Sequence, residues 1–345
     1  MFKNSLTIAL ALVAIAFLVT ACNTEEDPET KPPEKKEDDT TIPDSKEPEE
    51  KEEIIVEAPD SNLQKKDEGK SVQLLQEALN EIGYSITADG VYEETTTWAI
   101  TDFQLQYEEL QVTGVYNKKT RKALDETISG NGDIEPGLGL PQAKETSTTD
   151  EGAAILNNPY DQLALVNKEN ALPSDYIPSD LVYPNVRFPF PDEIPKRQMR
   201  QVAADALERM FDAADQDGLD LFAQSGYRSY NTQDSIFASN ARQYGEEAAN
   251  NFSARPGESE HQTGLTMDIT SPDVNYELIV EFGETDEGKW VKEHAAEYGF
   301  IIRFLEGKED ITQYQYEPWH LRFVGEKAAT EMAEKGITLE EYLVN

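Results

Sequence analysis

The chain of 345 residues contains three histidines, and two of them lie in short stretches rich in other reactive side chains. These stretches are SEHQTGLTMDI (259–269), with His261, and YEPWHLRFVG (316–325), with His320. Asp268 follows His261 by seven residues, and Glu317 precedes His320 by three. Two imidazoles and a carboxylate are a standard protein contribution to a catalytic zinc, with the fourth position left for water. Such a metal brings the pKa of its water to about 7. A carboxylate outside the ligand set must then receive the proton, and Glu317 is placed for that task. Taken singly, a buried histidine is more often structural and an aspartate at a strand end more often a turn former. On residue types alone both readings stand.

The elements that would position these groups can be read from periodicity. In GLTMDI, alternation puts Leu265, Met267 and Ile269 on a core face and Thr266 and Asp268 on the other. Gly264 provides the turn between His261 and that strand. His320 and Arg322 share one face of a second strand, with Arg322 expected in a salt bridge beneath the site. Pro318 should break the ladder and leave Glu317 in the preceding loop. Met199, Val202, Ala206 and Met210 trace a helix that stops at Gly218, and LDLFAQSGYRSY reads as a strand running into a turn. KWVKEHAAEYGF reads as a helix leading into the strand FIIRF, and EKAATEMAEKG as a closing helix with a glycine stop. The alternation predicts an α+β domain over 157–345, an antiparallel sheet flanked by helices. His294, four residues after Trp290 on a helix, reads as structural.

These stretches resemble a known family. SEHQTGLTMDI is similar to the Ser-x-His-x-x-Gly-x-Ala-x-Asp signature of the D-alanyl-D-alanine metallopeptidases, and EPWHLRFVG to their Glu-Pro-Trp-His signature. SGYRSYNTQ (225–233), ARPGESEHQTG (254–264) and ENALPSDYIPSDL (169–181) resemble the VanY-type carboxypeptidase branch. The resemblance covers 157–345. It implies one zinc per chain on His261, Asp268 and His320, with Glu317 as catalytic base. Arg228 is implied to bind and polarise substrate, and Ser259 and Gln233 to contact it. The implied reaction is removal of the C-terminal D-alanine from peptidoglycan stem peptides. Two alternatives are an L,D-carboxypeptidase acting on tetrapeptide stems and a catalytically silent wall-binding lipoprotein. Thr266 and Gln313 depart from the family's usual Ala and Gly. Thr266 adds a hydroxyl beside Asp268, and Gln313 alters the loop rimming the pocket.

The rest of the chain suggests how such an enzyme would be held. The chain carries 68 acidic and 30 basic residues, a net charge of −38, which disfavours nucleic acid and anionic lipid as partners. Lys3 precedes an apolar run from Leu6 to Val19, too short to span a bilayer but suited to a signal peptide. The run ends LVTAC, which resembles a bacterial lipobox. Residues 1–21 are therefore expected to be a lipoprotein signal, with Cys22, the one cysteine, lipidated and holding the protein extracytoplasmically on the cell membrane. Residues 22–70 read as an acidic disordered tether. The heptads GVYEETT (90–96) and GVYNKKT (114–120) repeat at a spacing of 24 within a small all-α domain, 71–127. With VQLLQEALNEIGY and TRKAL, that domain resembles peptidoglycan-binding-like modules, implying cell-wall glycan as its partner. Residues 128–156, rich in turn formers, read as a linker.

Overall fold

The computed structural model describes residues 57–142 and 145–344. The signal segment, Cys22 and most of the acidic stretch lie outside the described residues. None of the described helices is long and apolar enough to cross a membrane.

The N-terminal part is built on three helices, α1 (Lys70–Glu81), α2 (Glu94–Leu105) and α3 (Lys118–Ile128). Val72, Leu75 and Leu79 recur at helical spacing and meet Ile100, Phe103 and Leu124 in one buried cluster. The repeat noted in the sequence has a shared structural logic. A buried glutamine on the preceding helix pins each Gly-Val-Tyr turn. Gln76 accepts from Gly90 N and donates to Val91 O, while Gln104 accepts from Gly114 N and donates to Val115 O. Gly114 has φ +70°, and a Cβ there would stand 2.8 Å from Thr97 Cγ2, so both conformation and space require glycine. Asn117 caps α3 by accepting from Lys119 N and Thr120 N.

The sequence places residues up to 70 in the tether, but the folded part begins earlier. Ala58 and Leu63 are buried in the helical core, and Leu63 pairs with Tyr116 and Glu68 with Val91 as isolated bridges. Leu63 lies on a segment dominated by charge, so its burial cannot be read from local composition. Part of the expected linker is likewise attached. Trp98 Nε1 donates to Leu140 O, and the Asp102 carboxylate accepts from Gly137 N and Leu140 N.

The C-terminal part is the α+β fold predicted. Its sheet has four antiparallel strands, β1 (Phe222–Ser225), β2 (Thr266–Thr270), β3 (Phe300–Phe304) and β4 (Glu317–Phe323), in the order β1-β2-β4-β3. Helix α4 (Gln201–Gln216) buries Ala203, Leu207, Met210 and Ala214 against the face formed by Met267, Ile269, Trp319 and Leu321. Full burial of a side chain such as Leu207 contributes about 1.5–3 kcal/mol. Around this layer lie α5 (Tyr230–Tyr244), α6 (Asp286–His294), α7 (Glu326–Lys335) and α8 (Leu339–Val344). Gly336, left-handed, ends α7 as the sequence suggests.

The register of the sheet positions the reactive groups. Asp268 faces His320 across β2 and β4 and Ser225 across β1 and β2. One expectation is corrected: Glu317 is the first residue of β4, paired with Phe304, and not part of a loop. Pro318 is accommodated because the β3–β4 register shifts between Ile302 and Phe304.

Candidate active site

The open face of the sheet carries the chemistry. Met267 and Leu321 point into the core, so the neighbouring Asp268 and His320 point the other way. His261 reaches them from a one-turn helix, 260–263, which ends at left-handed Gly264. The donor atoms of His261, Asp268 and His320 all lie within 4.8 Å of one another, and all three residues are buried. His261 Nε2 is 3.4 Å from Asp268 Oδ2, and His320 Nδ1 is 3.0 Å from Asp268 Oδ1.

This donor set fits a tetrahedral metal. Bonds of about 2.0–2.1 Å imply tetrahedral edges of about 3.4 Å, close to both separations. The ring nitrogens are also assigned in a consistent way. His261 Nδ1 is 2.7 Å from Gly226 O, which leaves Nε2 facing Asp268. His320 Nε2 lies 3.6 Å from Glu260 Oε2, which leaves Nδ1 facing Asp268. The Gly226 acceptor fixes the tautomer and orientation of His261, whereas Glu260 Oε2 faces His320 Nε2 at a separation longer than a hydrogen bond. Gly226 must be glycine for this, because a Cβ would come within 2.4 Å of Gln198 O.

The carboxylate beneath His320 belongs to a buried ionic cluster. Glu260 Oε1 accepts from Arg303 Nε and from Arg322 Nη1, each at 2.8 Å. Arg303 continues to Glu340, at 2.9 and 2.6 Å. Burial alone would raise the pKa of Glu260, but the two guanidinium groups outweigh it and hold the carboxyl well below its usual range. The salt bridge expected for Arg322 is therefore present. No sequence signal marks Glu260 or Arg303. Glu260 fills a position between Ser259 and His261 with no type requirement of its own, and its partners are far away along the chain. Burial drives His261 down to about 3, reinforced by Arg228. Burial also opposes the charge on His320, but Asp268 and Glu260 prevail and raise it to about 9.

A cavity of about 240 Å³ opens over the triad. Glu317 lines it, with Oε2 3.8 Å from His320 Nδ1. Burial pushes the Glu317 carboxyl up to about 7, helped by Asp268 and opposed by His320 and Arg228. Arg228 follows β1 and also lines the cavity, as do Ser259 and Gln233. Arg228 Nη1 donates to Gln233 Oε1 at 2.9 Å and Nη2 to Ser225 Oγ at 3.4 Å. Gln233 in turn donates to Ala254 O at 2.6 Å, so its amide is engaged at both ends. Trp319 packs in the core, and His294 lies outside the site, paired with Glu297 at 2.9 Å and set against the Trp290 ring. Thr266 Oγ1 finds no hydrogen-bond partner among the described residues, so it makes no bond to Asp268. Gln313 has φ +62°, a conformation in which glycine is unstrained.

Comparison with known proteins agrees with this geometry. Residues 196–326 match the family model described as D-alanyl-D-alanine carboxypeptidase, VanY. The chain belongs to the VanY family. Residues 68–124 match the model described as "Putative peptidoglycan binding domain". "Putative carboxypeptidase YodJ" of Bacillus subtilis is 55% identical over 192 residues, 56% of this chain and 70% of that protein. The bifunctional D-Ala-D-Ala dipeptidase and D-Ala-D-Ala carboxypeptidase VanXYC of Enterococcus gallinarum is 32% identical over 189 residues, 52% of this chain and 92% of that protein. The solved structure of the LdcB LD-carboxypeptidase is 53% identical with a TM-score of 0.56, covering 58% of this chain and 93% of that one. This VanY-family chain is thus a peptidoglycan carboxypeptidase with a helical peptidoglycan-binding domain and a site built for a metal ion.

Proposed function

We propose that the protein is a zinc-dependent exopeptidase that removes the C-terminal D-alanine from peptidoglycan stem peptides. The observation that carries this reading is the convergence of His261, Asp268 and His320 with Glu317 and Arg228 on one cavity wall. Zinc, when bound, supplies Lewis acidity that polarises the scissile carbonyl and makes water a nucleophile near neutral pH. Glu317 Oε2 takes the proton of the attacking water and returns it to the leaving D-alanine nitrogen. Its elevated pKa suits both halves of that transfer.

Arg228 fixes the other end of the substrate. Gln233 and Ser225 each occupy one direction of its terminal nitrogens, and each nitrogen keeps a second N–H. Those two form a fork for the terminal carboxylate of the peptide. Gln233 therefore acts through Arg228, and Ser259, which lines the same cavity, contacts the substrate. The same reading places the protein outside the cytoplasm, anchored by a lipid on Cys22, with residues 71–127 holding it to wall glycan.

Two bonds are open to such a site. The D,D reading follows the family's description, whereas the LdcB likeness favours the L,D bond of tetrapeptide stems. Mass spectrometry of synthetic pentapeptide and tetrapeptide stems after incubation with the full chain separates them. Each substrate is also supplied as its C-terminal amide. Loss of the charge-assisted bonds to Arg228 removes about 1.5–3 kcal/mol, so the amide should be cut one to two decades more slowly. Equal cleavage of acid and amide would refute the carboxylate clamp and the exopeptidase assignment with it.

A further inference from the structure

The helical turn that carries His261 is gripped at both ends. Its first residue, Glu260, accepts from Arg322 Nη1 at 2.8 Å. The carbonyl of Gly264, which closes it, accepts from Arg200 N at 2.7 Å. Both grips continue into the helical domain. Arg322 Nη2 donates to Gln162 O at 3.1 Å, and Gln162 N donates to Thr113 O at 3.0 Å. Arg200 Nη2 donates to Val112 O. Val112 and Thr113 are adjacent, so two consecutive carbonyls of the helical domain hold both connections to the His261 turn.

These connections have little slack. Gln162, Arg200 and Arg322 are all buried, so a donor that lost its carbonyl would stay unpaired at a cost. Gln162 is also tied to the sheet, because its Nε2 donates to Val324 O at 2.9 Å. On the other side, Gln104 Oε1 fixes the turn by accepting from Thr113 N and Gly114 N, each at 2.9 Å. The first Gly-Val-Tyr turn is pinned by Gln76 in the same way but spends its backbone bonds inside the helical domain. Lys66 N donates to Tyr92 O, Tyr92 N to Asp67 O and Gly69 N to Gly90 O. The two copies are built alike and used differently.

We propose that the second Gly-Val-Tyr turn is part of the support of the metal centre, with Gln162 and Arg200 as the positioning residues that transmit it. Arg200 sets the Gly264 end of the His261 turn. Gln162 sets Arg322, and through it the Glu260 carboxylate that faces His320. The helical domain thereby tunes metal affinity in addition to any hold on the wall. The inference rests on the metal-site reading of His261, Asp268 and His320.

Two glycine substitutions in the full chain separate the turns. Gly114→Ala strains the second, where φ is +70° and a Cβ would stand 2.8 Å from Thr97 Cγ2. Gly90→Ala strains the first, where φ is +79° and a Cβ would stand 3.1 Å from Gly69 O. Zinc affinity is read by chelator competition, and ligand geometry by the visible spectrum of the cobalt-loaded chain, below the melting range of every variant. Partners that back a metal ligand directly are worth about 10–100-fold in affinity, so this more distant support should be worth about three- to tenfold. Gly114→Ala should show that loss with a shifted cobalt spectrum, and Gly90→Ala should leave both readouts unchanged. Arg200→Lys keeps a cation beside Asp180 but lacks the fork that also reaches Val112 O, so it should resemble Gly114→Ala. Because the two changes break one connection, the loss in the double variant should fall short of their sum. Unchanged zinc affinity in Gly114→Ala, equal losses in the two folded glycine variants, or strict additivity would overturn the proposal. Should a glycine variant lose its helical fold by circular dichroism, Arg200→Lys decides, and unaltered zinc affinity and cobalt spectrum there would overturn it. A wild-type chain that holds no zinc rejects the metal-site reading and this support together, whereas zinc binding that is indifferent to these variants rejects the support alone.

Discussion

Glu260→Gln offers the sharpest test of how the site is supported. The native carboxylate is 4% exposed and accepts from two arginines that are themselves fully buried. Removing one partner of a buried ion pair typically costs about 3–5 kcal/mol, because the remaining charge stays buried. The loss here should fall near the lower end. Arg303 keeps the bidentate Glu340, and Arg322 still donates to Gln162 O and Ala164 O. For a domain of this size about 3 kcal/mol corresponds to a fall of about 6–12 °C in Tm. A second effect is expected at the metal, since His320 Nε2 loses the carboxylate charge that faces it at 3.6 Å. Loss of such a supporting carboxylate weakens metal affinity by about 10–100-fold. Thermal unfolding in the presence of a chelator isolates the first effect, and chelator competition for zinc measures the second. Glu340→Gln is the control, because Glu340 touches Arg303 but not His320. It should destabilise less and leave zinc affinity unchanged. If the two variants behave alike in both assays, Glu260 is only one ion pair among others and does not hold His320 for the metal.

Other outcomes follow from the same geometry. Glu317→Gln should retain metal on analysis by mass spectrometry yet lose about 10²–10⁴-fold in turnover, because an amide cannot accept the proton. His261→Ala and His320→Ala should instead lose the metal, since two protein ligands hold zinc poorly. Glu258→Gln should have a pH-dependent effect on stability. Burial raises the native carboxyl from 4.5 to about 7, so the folded state holds a proton that the unfolded chain has already released. The wild-type fold is therefore weakened as pH rises through that window, and the variant should melt higher than wild type at pH 8 but not at pH 4. Expressing residues 145–345 without the helical domain should lower the Tm of the peptidase domain. That cut removes the buried Lys65–Asp161 pair and the bonds from Arg200 to Val112 O and from Gln162 N to Thr113 O.

The parts of this protein that the sequence discloses are those set by local periodicity. Alternation over 265–269 separates core from site in β2, and the same rule places His320 and Arg322 on one face of β4. Where the pattern misleads, a neighbour is responsible. Pro318 argues against a strand when viewed alone, but the register shift in β3 lets β4 start at Glu317. This matters for the chemistry, because a carboxylate held in a ladder is better fixed than one in a loop. The Glu260 cluster is illegible for a different reason. Its contacts join residues 43 and 62 positions apart, and no spacing rule connects them.

Docking of the two domains is the least legible feature, and it changes how the N-terminal region should be understood. A turn-rich stretch such as 128–156 reads as a free linker, and a free linker would let the helical domain search the wall independently. The fold argues otherwise. Lys65 has a side chain only 9% exposed, and its pairing with Asp161 crosses from the helical domain to the peptidase domain. Burial alone would lower its pKa, but Asp161 and Glu94 prevail and raise it, so it remains charged in the interface. Arg200, 1% exposed, donates to Val112 O next to the second Gly-Val-Tyr turn while also pairing with Asp180. A buried charge satisfied from both sides cannot be withdrawn cheaply, so the interface resists opening. The helical domain is thereby held at a fixed place on the peptidase domain, and wall bound to one would be presented to the other in a set orientation.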